Sequence, residues 1–169
     1  MEVYLINKNN FNMYSMDDFD RHQVVENVYR LMDGHLQIVR TSFTENWSLV
    51  RKRQIAAEIV NAKYIAYGAF EQGRVIGTLL LLPELNEGRM IIDGFHVSAE
   101  YRRKGAGRML FHAARQEAEK RGAKALYASA CSAKETIDFY RAMGFKLSEN
   151  PIRSCVEKEP FDLQMECVL

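Results

Sequence analysis

The order of apolar and polar positions divides this chain into a helical first third and a strand-rich remainder. Residues 2 to 6 are apolar enough to form a first strand. Between Ser15 and Arg40 the apolar residues recur at helical spacing, which predicts a helix that Gly34 stops or bends. The residues expected to share one face of this helix are Phe19, Val24, Val28, Leu31 and Met32.

A second helix is predicted from Thr44 to Asn61. Thr44 is a residue type that caps helices well, because its hydroxyl accepts from a free backbone N–H. The buried stripe of this helix would consist of Trp47, Val50, Ile55 and Ile59.

From Tyr64 onward the pattern changes to that of strands. Residues 64 to 70 and 75 to 82 flank a short polar turn, 71 to 74, and predict a β-hairpin. A further strand is predicted from 89 to 97. The remaining predicted elements are a helix from 107 to 121, a strand from 126 to 131, a helix from 132 to 144, and strands from 145 to 147 and 161 to 167.

The predicted elements include a helix-capping signal and the connections that determine the fold class. Ser132 and Glu135 have the spacing of a capping box at the start of the predicted helix from 132 to 144. A hairpin and a strand-helix-strand crossover are both present, and together they require a sheet with antiparallel and parallel pairs. We therefore predict an α/β fold with a mixed sheet and helices packed on it.

Composition and charge narrow the class of protein. The chain has 169 residues, 47% of them hydrophobic, and a formal net charge of +1, so we expect one soluble globular domain over residues 1 to 169. This balance disfavours nucleic acid as a partner. No apolar run is long enough for a membrane span, and the N-terminus does not resemble a signal peptide. Three dispersed cysteines disfavour disulfides and a metal site, and favour a cytoplasmic location.

The most informative stretch runs from Ile91 to Gly107, where an apolar strand ends and a glycine-bearing turn leads into a helix. The first N–H groups of a helix lack internal partners, and small residues allow a ligand to approach them. With the helix dipole and nearby cations they form an anion site suited to a pyrophosphate. The residues of this predicted site are Arg102, Arg103, Lys104, Gly105, Ala106, Gly107 and Arg108.

Two motifs resemble those of the GNAT superfamily of N-acetyltransferases. Arg102, Gly105 and Gly107 match its acyl-CoA-binding pattern R/Q-x-x-G-x-G/A, and residues 139 to 145 match its F-Y-x-x-x-G-F segment. The resemblance covers residues 62 to 147 and is looser before them. It implies a six- to seven-stranded mixed sheet with flanking helices, and acetyl-CoA as the donor substrate, with no metal.

The resemblance also implies roles for particular residues. Tyr140 matches the residue that gives a proton to the departing thiolate. Asp93, expected to share a strand face with Phe95 and Val97, is the first candidate for the general base, and a chain of water molecules to bulk solvent is the alternative. The predicted contacts to the pantetheine arm are the strand residues Phe95, His96 and Val97, and Ser132, which stands where the family often has asparagine. The side chain of His96 has the opposite strand parity and is expected to be structural.

The expected activity is transfer of an acetyl group to a primary amine by direct attack in a ternary complex. The acceptor is open between a small molecule, which we favour, and a peptide amine. A homodimer is possible by resemblance. The alternative is a sensor that binds acyl-CoA without turnover. A dinucleotide oxidoreductase is disfavoured because Leu110 stands where G-x-G-x-x-G requires glycine, and a P-loop is disfavoured because no Gly-Lys-Ser/Thr follows the turn.

Overall fold

A seven-stranded mixed sheet forms the centre of the protein. A computed structural model describes residues 1 to 61 and 63 to 169. The sheet strands are β1 (Glu2–Leu5), β4 (Ile65–Glu71), β5 (Arg74–Leu81), β6 (Arg89–Val97), β7 (Ala125–Ala130), β8 (Lys146–Leu147) and β9 (Leu163–Val168). Their order is β1-β4-β5-β6-β7-β9-β8, and only β6 and β7 pair in parallel. The predicted mixed sheet with flanking helices is confirmed.

Helices cover both faces of the sheet. The helices are α1 (Leu49–Val60), α2 (Ala106–Lys120), α3 (Lys134–Ala142) and α4 (Arg153–Lys158). One face packs α2 against Leu79, Met90 and Leu126. The opposite face packs α1 against Ala66, Phe70 and Leu80, in a second core cluster. None of the helices that the structure describes is both long and apolar enough to cross a membrane.

The predicted helix from Ser15 to Arg40 is wrong. Residues of this region form a separate antiparallel hairpin, β2 (Gln23–Met32) and β3 (His35–Glu45), whose turn is Asp33-Gly34 with positive φ at both residues. An Asp-Gly pair is a strong hairpin signal because both residues tolerate this conformation. The spacing of Val24, Val28 and Leu31 imitates a helix, yet Val24 and Leu31 are more than half exposed.

Two further boundaries differ from the prediction. Because β3 continues to Glu45, the first helix cannot begin at Thr44; it begins at Leu49, and the hydroxyl of Ser48 caps it by accepting from Arg51 N. Helix α4, six residues long, lies in a stretch for which no element was predicted. The strand, turn and helix from 89 to 121 lie within one residue of their predicted bounds.

Candidate active site

The turn between β6 and α2 leaves a row of backbone donors free. Gly105 precedes the helix with φ +96° and offers no side-chain cap. The N–H groups of residues 103 to 108 donate to no protein acceptor within the described part of the chain. The first turn of α2 carries no acidic residue. Free amides at the positive end of a fifteen-residue helix suit an anionic ligand.

Three of the four predicted cations surround this turn in the expected way. Arg103, Lys104 and Arg108 are exposed, and Arg103 adopts φ +63°, which is uncommon for a residue with a side chain. Ala106 is fully buried, while Gly107 is partly buried beneath the ring of Phe139. The geometry therefore fits a diphosphate, which takes both backbone N–H donors and nearby cations.

The fourth cation, Arg102, is engaged elsewhere. Its Nε donates to Val97 O at 3.0 Å, its Nη1 to His22 O at 2.8 Å and its Nη2 to Arg21 O at 3.3 Å. Burial and the charge of Arg21 lower the pKa of the Arg102 guanidinium, although it stays protonated at any physiological pH. Arg102 thus ties the end of β6 to the chain before β2, in a position where sequence reasoning expected a phosphate ligand.

A gap opens between the parallel strands β6 and β7. Their pairing runs from Arg89↔Ala125 to Ile92↔Ala128 and then stops, while β6 stays paired with β5 as far as Val97. Ser98 N donates to Ile76 O of β5. Because alternate residues of a strand point their backbone groups to opposite sides, the N–H groups of Phe95 and Val97 face the gap. Phe95 and Val97 are two of the strand residues that the family resemblance placed against the pantetheine arm.

His96 points the other way. Its backbone faces Thr78 of β5, and its ring packs edge-on against Trp47 with 4.6 Å between ring centroids. Burial, with the charges of Arg21 and Arg102, lowers the pKa of His96 to about 3, so the imidazole is neutral at physiological pH. The backbone of His96 is therefore turned away from the gap, and its side chain has the structural surroundings that its strand parity predicts.

Tyr140 stands at the gap in an aromatic cage. Its ring lies 4.9 Å from that of Phe145 and 6.2 Å from that of Phe95, centroid to centroid. The residue is only 6% exposed, and its hydroxyl makes no hydrogen bond with any described residue. Burial, with the negative charges of Asp162 and Glu159, raises the pKa of this phenol well above its usual value, so it holds its proton.

Asp93 does not share a face with Phe95 and Val97. A β-bulge between the pairs Leu80↔Gly94 and Leu81↔Ile92 shifts the parity of β6 at this residue. Asp93 Oδ2 accepts from Tyr64 Oη at 2.8 Å, and Oδ1 accepts from Lys158 Nζ at 3.0 Å. Burial alone would raise its pKa, but the hydrogen bonds from Lys158 and Tyr64 lower it overall. An ion-paired carboxylate of low pKa is a poor proton acceptor.

Ser132 does not form the predicted capping box. The N-cap of α3 is Ala133, which makes no side-chain cap. The hydroxyl of Ser132 accepts from Arg30 Nη1, and its carbonyl accepts from Tyr29 N at 2.8 Å. The side chain predicted to contact the pantetheine arm therefore holds the β2–β3 hairpin against the end of β7.

The structure adds a group of acidic residues that the sequence pattern did not reveal. Glu45 ends β3, Asp162 precedes β9, and Glu159 follows α4. Cys131 Sγ lies 3.9 Å from Glu45 Oε1, which places β3 beside the end of β7. Arg21 forms an ion pair with Glu45. The signal that could have located Glu45 was the Asp33-Gly34 turn, since a hairpin there carries β3 to this edge.

Comparisons with known proteins agree with this geometry. The model of the acetyltransferase (GNAT) family matches residues 32 to 145. No curated protein is found to match the sequence. A nourseothricin acetyltransferase of known structure is 19% identical, with a TM-score of 0.74 over 99% of this chain and 97% of its own. A protein from Bacillus anthracis, described as a putative streptothricin acetyltransferase in complex with acetyl coenzyme A, is 18% identical, with a TM-score of 0.74 over 100% of this chain and 99% of its own.

A third structure shares a smaller part of the fold. The PaiA N-acetyltransferase of Thermoplasma acidophilum, in complex with coenzyme A, is 22% identical, with a TM-score of 0.56 over 70% of this chain and 71% of its own. The sheet, the gap and the amide-rich turn together define an acyl-CoA-dependent acyltransferase. The chain belongs to the GNAT family and is an acetyl-CoA-dependent acetyltransferase.

Proposed function

We propose that this protein transfers the acetyl group of acetyl-CoA to a primary amine of a small molecule, by direct attack in a ternary complex. The observation that carries the proposal is the row of free N–H groups at residues 103 to 108, beside an open strand edge that leads to Tyr140. A donor held by its diphosphate at this turn would lay its pantetheine arm along the gap, with its thioester near the phenol.

Each chemical need of the transfer has a candidate group. The N–H of Phe95 or Val97 would donate to the oxyanion that develops on the thioester carbonyl. Tyr140 would give its proton to the sulfur as the carbon–sulfur bond breaks. The aromatic cage of Tyr140 would limit the access of bulk water to this point and so slow hydrolysis of the thioester. Direct attack needs no covalent intermediate, and burial raises the pKa of the Cys131 thiol, which disfavours an acyl-cysteine route.

Two observations favour a small, cationic acceptor. Two of the structures that cover nearly the whole chain, both with a TM-score of 0.74, are acetyltransferases named for nourseothricin and streptothricin. The negative charges of Asp162 and Glu159 act on Tyr140, and that of Glu45 acts on Asp162, so this group of acidic residues favours a positively charged substrate. The whole of residues 1 to 169 would act as one domain, and three free thiols suit a reducing cytoplasm.

The proposal is tested by following release of the coenzyme A thiol. Acetyl-CoA is mixed with the protein and with each of nourseothricin, kanamycin, spermidine, L-lysine and a lysine-containing peptide. We expect turnover with at least one of the small amines and little with the peptide. Binding of acetyl-CoA without thiol release from any amine would indicate a sensor. Faster turnover with the peptide would overturn the small-molecule assignment.

A further inference from the structure

The carboxylate of Asp162 is unusual in having no partner among the residues that the structure describes. Asp162 is partly buried at the start of β9, and its side chain makes no ion pair and no hydrogen bond with the described residues. Partly buried carboxylates are normally paired, because burial without a partner penalises the charged form. An unpaired one beside a reaction centre is therefore a candidate for a chemical role.

The residues around Asp162 increase the free-energy cost of its charged form. Burial, with the negative charges of Glu159 and Glu45, raises the pKa of Asp162 to about 6. Glu159 lies in the loop just before it and Glu45 at the end of β3, while Arg21 is held in an ion pair with Glu45. The charge of Asp162 also helps to raise the pKa of the Cys131 thiol, just after β7, and of the Tyr140 phenol, on α3. A carboxylate in this environment accepts a proton readily near neutral pH.

The fold places Asp162 beside the carboxyl end of β7, the strand that borders the gap. Leu163 pairs with Ala130, the last residue of β7, so Asp162 lies just beyond the carboxyl end of that strand. Tyr140 is more than nine-tenths buried, its hydroxyl is without a partner among the described residues, and its pKa responds to the charge of Asp162. Amide formation requires a base for the attacking nitrogen and an acid for the departing sulfur, and Asp162 and Tyr140 are groups of these two kinds in one region of the fold.

We propose that Asp162 is the general base of the transfer and that, with Glu159, it binds the ammonium group of a cationic alkylamine acceptor. This inference rests on the proposed function. It replaces Asp93, whose carboxylate is already bound to Lys158 and Tyr64.

The proton and electron movements balance as follows. The acceptor arrives as an ammonium ion, and the Asp162 carboxylate takes one proton from it. The nitrogen lone pair then forms a bond to the thioester carbon, and the carbonyl π pair moves to oxygen. When the carbonyl re-forms, the carbon–sulfur bond breaks and the sulfur takes the proton of Tyr140. The second proton lost from nitrogen restores the phenol through solvent, and Asp162 releases its proton to bulk water.

The test is the pH dependence of kcat/KM, measured by thiol release with the amine that turns over fastest in the panel. We expect wild-type activity to fall below a pH of about 6 as Asp162 becomes protonated. Asp162→Asn should lower kcat by at least about 100-fold at pH 7.5. It should also remove the fall that begins below a pH of about 6, which is the acid limb of the profile. The residual kcat/KM should instead rise tenfold per pH unit across this range, because it follows the fraction of neutral amine.

Two matched variants complete the design. Glu159→Gln removes one neighbouring charge and should move the acid limb to lower pH while raising KM. Asp93→Asn should leave the limb in place. Retention of an acetyl-CoA-induced rise in Tm shows that each variant is folded and binds donor. The inference is overturned if Asp162→Asn keeps kcat within about threefold and keeps the limb, or if Asp93→Asn alone removes it. Absence of turnover in the wild type would instead overturn the proposed function, and this inference with it.

Discussion

Gly107 and Phe139 touch where the donor-binding turn meets α3. A Cβ atom placed on Gly107 would lie 3.2 Å from Cε2 of Phe139 and 3.7 Å from Cγ2 of Val97. The ring of Phe139 in turn lies 5.3 Å from that of Phe95, centroid to centroid. A side chain at residue 107 therefore disturbs both the amide row and the aromatic cage of Tyr140.

The first prediction concerns this contact. Gly107→Ala should weaken acetyl-CoA binding by about tenfold, because Phe139 must shift and the new methyl group crowds the amides. Its Tm should change little, since the gain of about 1 kcal/mol from alanine in a helix offsets overpacking of similar size. Gly107→Glu should abolish binding by placing a carboxylate at the phosphate site. Isothermal titration measures both effects. Gln116→Glu, exposed on the same helix, is the control, and equal weakening in it would refute the assignment.

The second prediction separates Arg102 from Arg108. Arg102→Ala leaves three peptide carbonyls without their donor, so it should lower stability by about 1 to 3 kcal/mol. Arg108→Ala should leave stability unchanged but weaken acetyl-CoA binding several-fold by removing an exposed cation. Thermal melts and titrations distinguish the two. Lys120→Ala, at the far end of α2, should do neither. If Arg102→Ala lost more binding free energy for acetyl-CoA than free energy of unfolding, Arg102 would have to be a ligand of the phosphate.

A third prediction concerns Tyr140. Tyr140→Phe preserves the packed ring and removes a hydroxyl that makes no hydrogen bond with the described residues, so Tm should stay within about 2 °C. The variant should lower kcat by about 10- to 1000-fold with little change in the Kd of acetyl-CoA, because only proton donation to the thiolate is lost. An unchanged kcat would remove Tyr140 from the chemistry.

The fourth prediction concerns the effect of Asp162 on stability. Its folded pKa, about 6, lies above the ordinary value of 3.8, so the folded state binds this proton more tightly than the unfolded state. The charged form therefore destabilises the fold at a pH above 6, and the cost disappears as the pH falls to 3.8. Asp162→Asn should raise stability by about 1 to 3 kcal/mol at pH 7.5 and have no effect below pH 3.8. Denaturant unfolding at several pH values checks this, and a destabilised variant at pH 7.5 would contradict it.

The fifth prediction is that Asp93, unlike Asp162, stabilises the fold in its charged form. Its folded pKa lies below 3.8, so its contribution to stability is present above that pH and is lost as the pH falls through the folded value. Asp93→Asn should lower stability by about 1 kcal/mol at neutral pH, mainly through loss of the bonds to Lys158 and Tyr64. The difference from wild type should shrink below pH 3.8. A difference that persists there would show that packing, and not charge, explains the loss.

The sequence predicts the second half of the fold because its signals agree there. The strand from 89 to 97, the glycine turn and α2 each have a strong local pattern. The predicted bounds of the strand and the helix therefore lie within one residue of the observed ones. The hairpin was missed because exposed apolar residues, such as Leu31 and Ile38, blur the alternation that distinguishes a strand from a helix.

The candidate base could not be found from local pattern. The prediction of Asp93 as the general base rests on strand parity. A single bulged residue opposite Leu80 and Leu81 reverses that parity. Asp162 and Glu45 are far apart in the chain and come together only because β9 pairs with β7 and the hairpin folds back over its end. Such a meeting depends on long-range pairing, which no short window of sequence contains.

The three hydrogen bonds of Arg102 mean that a residue of the donor motif also anchors the start of the β2–β3 hairpin. The same guanidinium that ends β6 at Val97 fixes the peptide at Arg21 and His22, from which the hairpin departs. The far tip of that hairpin, at Asp33 and Gly34, is remote from this anchor along the strands. The tip can therefore be lengthened or shortened without disturbing the anchor or the turn that carries the free amides.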